Sequence, residues 1–127
     1  MNKEEIALLY GFEDSEAGKI IASLKKIRVG TRVLKSEDCH EKIGFVLGLK
    51  GFNKSKAEEP SDIDEEIIIF QGIKGKRLDA VLDKMRGDSC KVPKYKAVVT
   101  PFNIHWTVRK LYETMLREHG SFKGRAD

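Results

Sequence analysis

Three side chains spaced by three, Thr100, Asn103 and Trp106, are the best-equipped set in this sequence for holding a ligand. They stand in the stretch from Thr100 to Thr107, between an apolar run and an amphipathic one, and Trp106 is the only tryptophan of the chain. A hydroxyl, an amide and a flat apolar ring with one N–H donor suit a small ligand or a partner peptide. The position suits them too, because open α/β sheets place ligands beyond the carboxyl ends of their strands. The same residues also have a plain structural use. Asn103 can hydrogen-bond its own loop backbone, Thr107 can cap the next helix, and Trp106 can cover the edge of the core. Caps and turns explain these residue types outright.

A second set is Lys74, Lys76 and Arg77, with Gly72 and Gly75 between and before them, at the start of a predicted helix. Cations there oppose the helix dipole, at up to about 1 kcal/mol each when exposed. Glycines and backbone amides beside them could cradle an anion, although the spacing is not that of a P-loop. A solvated turn is the plainer account. The matching place in the first half reads Glu13, Asp14, Ser15, Glu16. Acid there and base here would let the halves, or two copies of the chain, complement each other.

Other clusters carry less. Lys91, Lys94, Tyr95 and Lys96 interleave cations with one aromatic, as nucleic-acid binders do, but Tyr95 reads as the first residue of a strand. Cys39, His40, Cys90, His105 and His119 fit no zinc spacing, so neither a metal nor a cofactor is expected. The two cysteines read as reduced. Cys90 lies beside basic residues that could lower its pKa. No activated nucleophile, paired acids or cofactor fingerprint accompanies it, and a non-catalytic role is expected.

These residues must be positioned by a small set of elements. Ile6 to Gly11 predicts a buried strand, and Ala17, Ile20, Ile21, Leu24 and Ile27 the apolar face of a helix stopped by Gly30. Thr31 to Ser36 predicts a second strand. Ser36 to Asp38 opens a second helix lined by Ile43, Val46 and Leu47, with Gly44 and Gly48 weakening it. Residues 51–64 are polar and turn-rich, a mobile connector. Glu66 to Phe70, with three consecutive isoleucines, predicts a third strand. Leu78, Val81, Leu82 and Met85 stripe a third helix closed by Arg86 and Gly87. Tyr95 to Thr100 predicts the fourth strand. Val108, Leu111, Tyr112, Met115 and Leu116 line the last helix, ended by Gly120, with residues 121–127 fraying.

The halves match in order and in detail. Leu8 to Tyr10 answers Ile68 to Phe70, and Leu24, Ile27 and Arg28 answer Leu82, Met85 and Arg86. Val33 and Leu34 answer Val98 and Val99, and Asp38 to His40 falls opposite Asn103 to His105. The expected fold is therefore α/β: two tandem βαβα repeats, residues 5–50 and 65–120, sharing a four-stranded mixed sheet with packed helices. Right-handed crossovers make the strand pair within each repeat parallel. A length of 127 residues suits a single domain spanning residues 1–127.

Net charge is +4, unevenly spread. Residues 1–64 carry 11 Lys/Arg against 12 Asp/Glu, a net of −1, and residues 65–127 carry 13 against 8, a net of +5. That bias favours acidic partners or nucleic acid electrostatically, and a solvated surface is its plainer account. No apolar run approaches the roughly 18–20 residues of a membrane span. Acids near the start replace the basic-then-apolar pattern of a signal peptide, so a cytoplasmic location is expected.

The second half, residues 65–120, also resembles an uncharacterised bacterial family, domain of unknown function 3783. The resemblance is carried by the apolar strand with Phe70, the Leu78/Leu82 helix, and Ala97-Val-Val-Thr100-Pro-x-Asn103-x-x-Trp106-Thr107 followed by Leu111, Glu118 and His119. It implies a small α/β module and no particular activity. The first half departs from the pattern, with Ser36, Asp38 and Glu41 about where Thr100, Asn103 and Trp106 stand, so a site built on the motif would occur once. The expected function is a small binding or protein-interaction module, possible partners being another protein or a second copy. An anion- or nucleic-acid-binding accessory role using the basic half comes second, and an unrecognised enzyme third.

Overall fold

The two most apolar runs become the two central strands, because a strand with neighbours on either side leaves no room for solvent. In this computed structural model, which describes residues 4–56, 61 and 63–126, β1 spans Ile6–Tyr10 and β3 spans Ile67–Gln71. The outer strands are β2 (Gly30–Val33) and β4 (Tyr95–Val98), giving the order β2-β1-β3-β4. β1 pairs parallel with β2, and β3 with β4, as strands joined by a crossover helix do. The two central strands run antiparallel, with Leu8 opposite Ile69. The two parallel strand pairs thus join edge to edge in one mixed α/β sheet, a point the sequence left open.

The chain groups into two compact units, each drawing on both halves. The first contains Met1–Leu34 and Asp64–Val99. Here α1 (Asp14–Lys25) and α3 (Gly75–Gly87) cover one face of the sheet. Ile20 and Leu24 of α1 and Val81 and Met85 of α3 meet Ala7, Leu9, Ile68 and Phe70, all of them buried. Each of the larger side chains contributes about 1.5–3 kcal/mol on leaving water, which outweighs the weak propensity of either helix. Gly11, after β1, has φ +84°. A Cβ there would come within 2.6 Å of the Glu65 carbonyl oxygen, so no other residue fits without a shift.

The second unit contains Lys35–Ile63 and Thr100–Asp127. It has a 3₁₀ turn at Ser36–His40, the short helix α2 (Ile43–Val46), a 3₁₀ turn at Asn103–His105 and the long helix α4 (Val108–Ala126). The two turns are joined by a reciprocal backbone exchange. The Ile43 N–H donates to the Trp106 carbonyl at 2.9 Å, and the Val108 N–H to the Glu41 carbonyl at 3.1 Å.

The first unit uses the same backbone contacts twice. Leu34 N–H donates to the Leu9 carbonyl, and Val99 N–H to the Phe70 carbonyl, both at 2.8 Å. Val29 bonds Leu24 at the end of α1 as Cys90 bonds Met85 at the end of α3. Matching positions lie 61 residues apart from β1 to Val29 (9 to 70, 24 to 85) and 65 apart from β2 onward (34 to 99). The step of four is the segment Lys91 to Lys94, inserted before β4. By this geometry Leu24 answers Met85, whereas similarity of side chains pairs it with Leu82. A slip of three residues keeps a helix on nearly the same face, which is why the stripes alone admit both.

Several expected boundaries move. Gly30 and Gly87 do not supply the left-handed turns that close α1 and α3. Arg28 (φ 63°) and Ser89 (φ 62°) do, each followed by the hydrogen bond that ends a Schellman motif. The predicted second helix shrinks to α2, because Gly48 (φ 78°) turns the chain and Leu49 bonds back to Gly44. The strand expected from Thr31 to Ser36 stops at Val33, since Ser36 begins the 3₁₀ turn. Gly120 does not end α4, which continues to Ala126; one glycine costs a helix about 1 kcal/mol and does not by itself stop it. Within the connector, residues 57–60 and 62 lie outside the described residues. Its described ends are tied: the Ser55 N–H to Glu41, the Ser61 N–H to the Ser36 hydroxyl, with Ile63 buried.

Candidate functional site

The loop from Thr100 to Trp106 is a self-locked turn. Asn103 Oδ1 accepts the Thr100 N–H at 2.8 Å, and Thr100 Oγ1 accepts the N–H groups of Asn103 (3.0 Å) and Phe102 (3.2 Å). Asn103 is buried by this exchange. Thr107 Oγ1 caps α4 by accepting the Lys110 N–H at 3.0 Å. Trp106 is half-buried, and Lys110 places its ammonium 4.8 Å from the ring centroid, a cation–π contact. His105 stacks on Phe52 with centroids 5.4 Å apart. Thr100 and Asn103 are therefore engaged in holding the backbone, and what the backbone holds out is Phe102, 80% exposed at the apex. Phe102 lies outside the Thr100, Asn103 and Trp106 spacing that marks this loop in the sequence. Its signal was a phenylalanine between a proline and a capping asparagine, where no strand or helix could bury it.

Lys74, Lys76 and Arg77 do not act as one group. Lys74 and Lys76 are exposed at the start of α3, but Arg77 turns back to the sheet. Its guanidinium donates to both oxygens of Glu5, at 2.9 and 2.7 Å, and to the Ile27 carbonyl at 2.7 Å. The hydrogen bond to Glu5 raises the Arg77 pKa further above its already high value. A bidentate pair anchored on a carbonyl fixes the start of α3 to the end of α1.

The matching place in the first half carries Glu16, and the partner matching Glu5 is Glu66 (both 61 residues along). Two carboxylates would repel there. Lys91, from the inserted segment, separates them: its backbone N–H donates to Glu16 at 3.0 Å and its ammonium meets Glu66 at 2.9 Å. The hydrogen bond to Glu66, then its charge, raises the Lys91 pKa. Acid in one half thus answers base in the other within a single chain.

Ser23 donates to Asp88 at 2.7 Å, with Lys84 at 3.4 Å and Lys26 at 3.8 Å from the same oxygen. The Ser23 hydrogen bond holds Asp88 below the usual carboxylate value, helped by the two lysines. Burial pushes the Cys90 thiol up, opposite to the activation that its basic neighbours suggest. Both cysteines are buried, and neither is in a disulfide. Among the described residues no three His, Cys, Asp or Glu side chains converge as a metal site, and no helix is long and apolar enough to cross a membrane. A groove of ≈ 250 Å³ lies between α3 and β4, lined by Phe70, Leu78, Leu82, Lys96, Ala97 and Val98.

A mixed α/β sheet with a locked, aromatic-tipped loop defines the class. Within it, residues 66–122 match the family model described as Domain of unknown function (DUF3783). That segment holds β3, α3, β4, the Thr100–Trp106 loop and most of α4. Neither the curated proteins nor the solved structures contain a match to the chain.

Proposed function

We propose that this protein is a small non-catalytic binding module of the bacterial cytoplasm, built on a βαβα unit used twice, that grips another protein through the Thr100–Trp106 loop. The observation that carries the reading is Phe102, 80% exposed on a backbone pinned by Thr100 and Asn103. A pre-ordered loop loses little entropy when it docks, so an aromatic at its tip delivers most of its burial energy as affinity. Trp106 and Lys110 widen the contact beside it.

The test is capture of partners from native cell extract by tagged protein, with and without nuclease. A nuclease-resistant protein should be recovered. Phe102→Ala should weaken its binding about 30-fold, equivalent to about 2 kcal/mol, while the melting curve stays within about 0.5 kcal/mol. Loss of all co-purifying material after nuclease would overturn this reading. It would favour the second one, an anion- or nucleic-acid-binding accessory protein. The exposed Lys74 and Lys76 support that alternative, and its binding would fall steeply with salt.

A further inference from the structure

We infer that the groove between α3 and the outer strand β4 is a second docking surface, and that its occupant is an acidic segment of a partner protein carrying one large apolar side chain. The inference rests on the protein-binding reading above but uses none of the same residues. Five of the six lining residues are apolar, Phe70 at 1% exposure among them, and the sixth is Lys96; no acid among the described residues lines the groove. Leu78 and Leu82 lie one turn apart on α3 and form one wall, half-buried, as is Val98 opposite, with the Ala97 backbone between the side chains of Lys96 and Val98.

Lys96 and Val98 stand beside Ile68 and Phe70 in the parallel register, so both belong to the face that α3 covers. A lysine on that face at the sheet edge lays its stem along the groove and carries its charge to the rim. Among the described residues its ammonium reaches only the Pro93 carbonyl, at 3.5 Å, and Lys94, just before the strand, holds its own ammonium over the Tyr95 ring, 5.0 Å from the centroid. The acids of the neighbouring helix do not cancel this charge from within the groove: Asp79 and Asp83 are exposed, and Asp83 pairs with Arg86 at 3.6 Å. A side chain in the apolar slot with a carboxylate beside it satisfies both wall and rim. The matching place in the first half has Thr31 for Lys96 and Ala17 for Leu78, with Ile21 for Leu82, so it offers no such cation and only half of the wall.

The test titrates isotope-labelled full-length protein with a short peptide of one phenylalanine flanked by aspartates, and with the same peptide carrying lysines. The aspartate peptide should shift the amide signals of Leu78, Leu82, Ala97 and Val98. Lys96→Glu should weaken it at least about tenfold, and Lys96→Arg should keep it within about threefold. Phe102→Ala should leave it unchanged. Equal binding of the lysine peptide, indifference to Lys96→Glu, or no shift at the groove would each overturn the inference. So would a concentration-dependent dimer abolished by Lys96→Glu, which would make the occupant a second copy. If captured partner depends on Phe102 but not on Lys96, the groove falls and the loop reading stands. If neither partner nor peptide binds, both fall.

Discussion

The loops Lys35 to Glu41 and Thr100 to Trp106 have nearly the same backbone and opposite surfaces. In each, the fourth residue anchors the first: Asp38 Oδ2 accepts the Lys35 N–H at 2.7 Å, and Asn103 Oδ1 the Thr100 N–H at 2.8 Å. In each, a 3₁₀ turn follows and the seventh residue donates to the fourth residue's carbonyl at 2.9 Å. The variable positions then diverge. Glu37 stands where Phe102 does, and Glu41 where Trp106 does. Glu41 is buried and reaches inside its own unit, taking the Ser55 N–H at 2.7 Å with Lys54 at 3.6 Å. One copy of the scaffold spends its side chains on tying down the connector, and the other holds an aromatic out to solvent. A geometry used twice need not be a function used twice.

Breaking the inward-facing copy should cost the most stability. Glu41→Ala leaves the Ser55 N–H without its acceptor and should destabilise by about 2–3 kcal/mol in urea melts, whereas Glu37→Ala should be silent. Removing the shared anchor should separate the loops by burial. Asn103→Ala should cost about 1.5 kcal/mol and loosen Phe102, and Asp38→Ala, which is less buried, about half that. Melts of both variants measure the difference.

The helix ends give a gain instead. Ser89→Gly relieves a left-handed non-glycine residue and should stabilise by about 0.5–1 kcal/mol, as should Arg28→Gly, read by the midpoint of denaturant unfolding. Asp88 sharpens the contrast by pH, since Ile27 stands at its place in the first half. Its folded pKa lies below its unfolded value, so its stabilisation is complete above the ordinary carboxylate range near pH 4 and is lost as pH falls through the folded value. Ser23→Ala should flatten that acid limb of a melting-temperature profile.

What the sequence made legible follows from local rules. The Ile67–Gln71 strand announced itself by continuous apolar residues, and the parallel pairs by the handedness of βαβ crossovers. Asn103 and Thr107 as turn and cap residues could be read because their partners lie within three positions. The ends of α1 and α3 could not, since nothing in Arg28 or Ser89 advertises a left-handed turn, and glycines nearby drew the boundary to themselves. The Arg77–Glu5 clamp spans 72 positions and the Lys91–Glu16 contact 75, beyond any pattern of spacing. The first explains why a basic cluster that looks like an anion cradle loses one of its three cations to the fold.

The antiparallel seam at the centre of the sheet sets a schedule for synthesis. β1 can close on β2 once residue 33 is made, but its other side must wait for Ile67–Gln71. At the roughly 5–20 residues per second of translation, the 56 residues between Tyr10 and Ile67 take roughly 3–11 s. For that interval Ile6–Tyr10, five residues without a charge, is an open template for the wrong strand of another chain. The acids that flank it, Glu4, Glu5, Glu13 and Asp14, therefore guard the nascent chain before any of them serves the finished one.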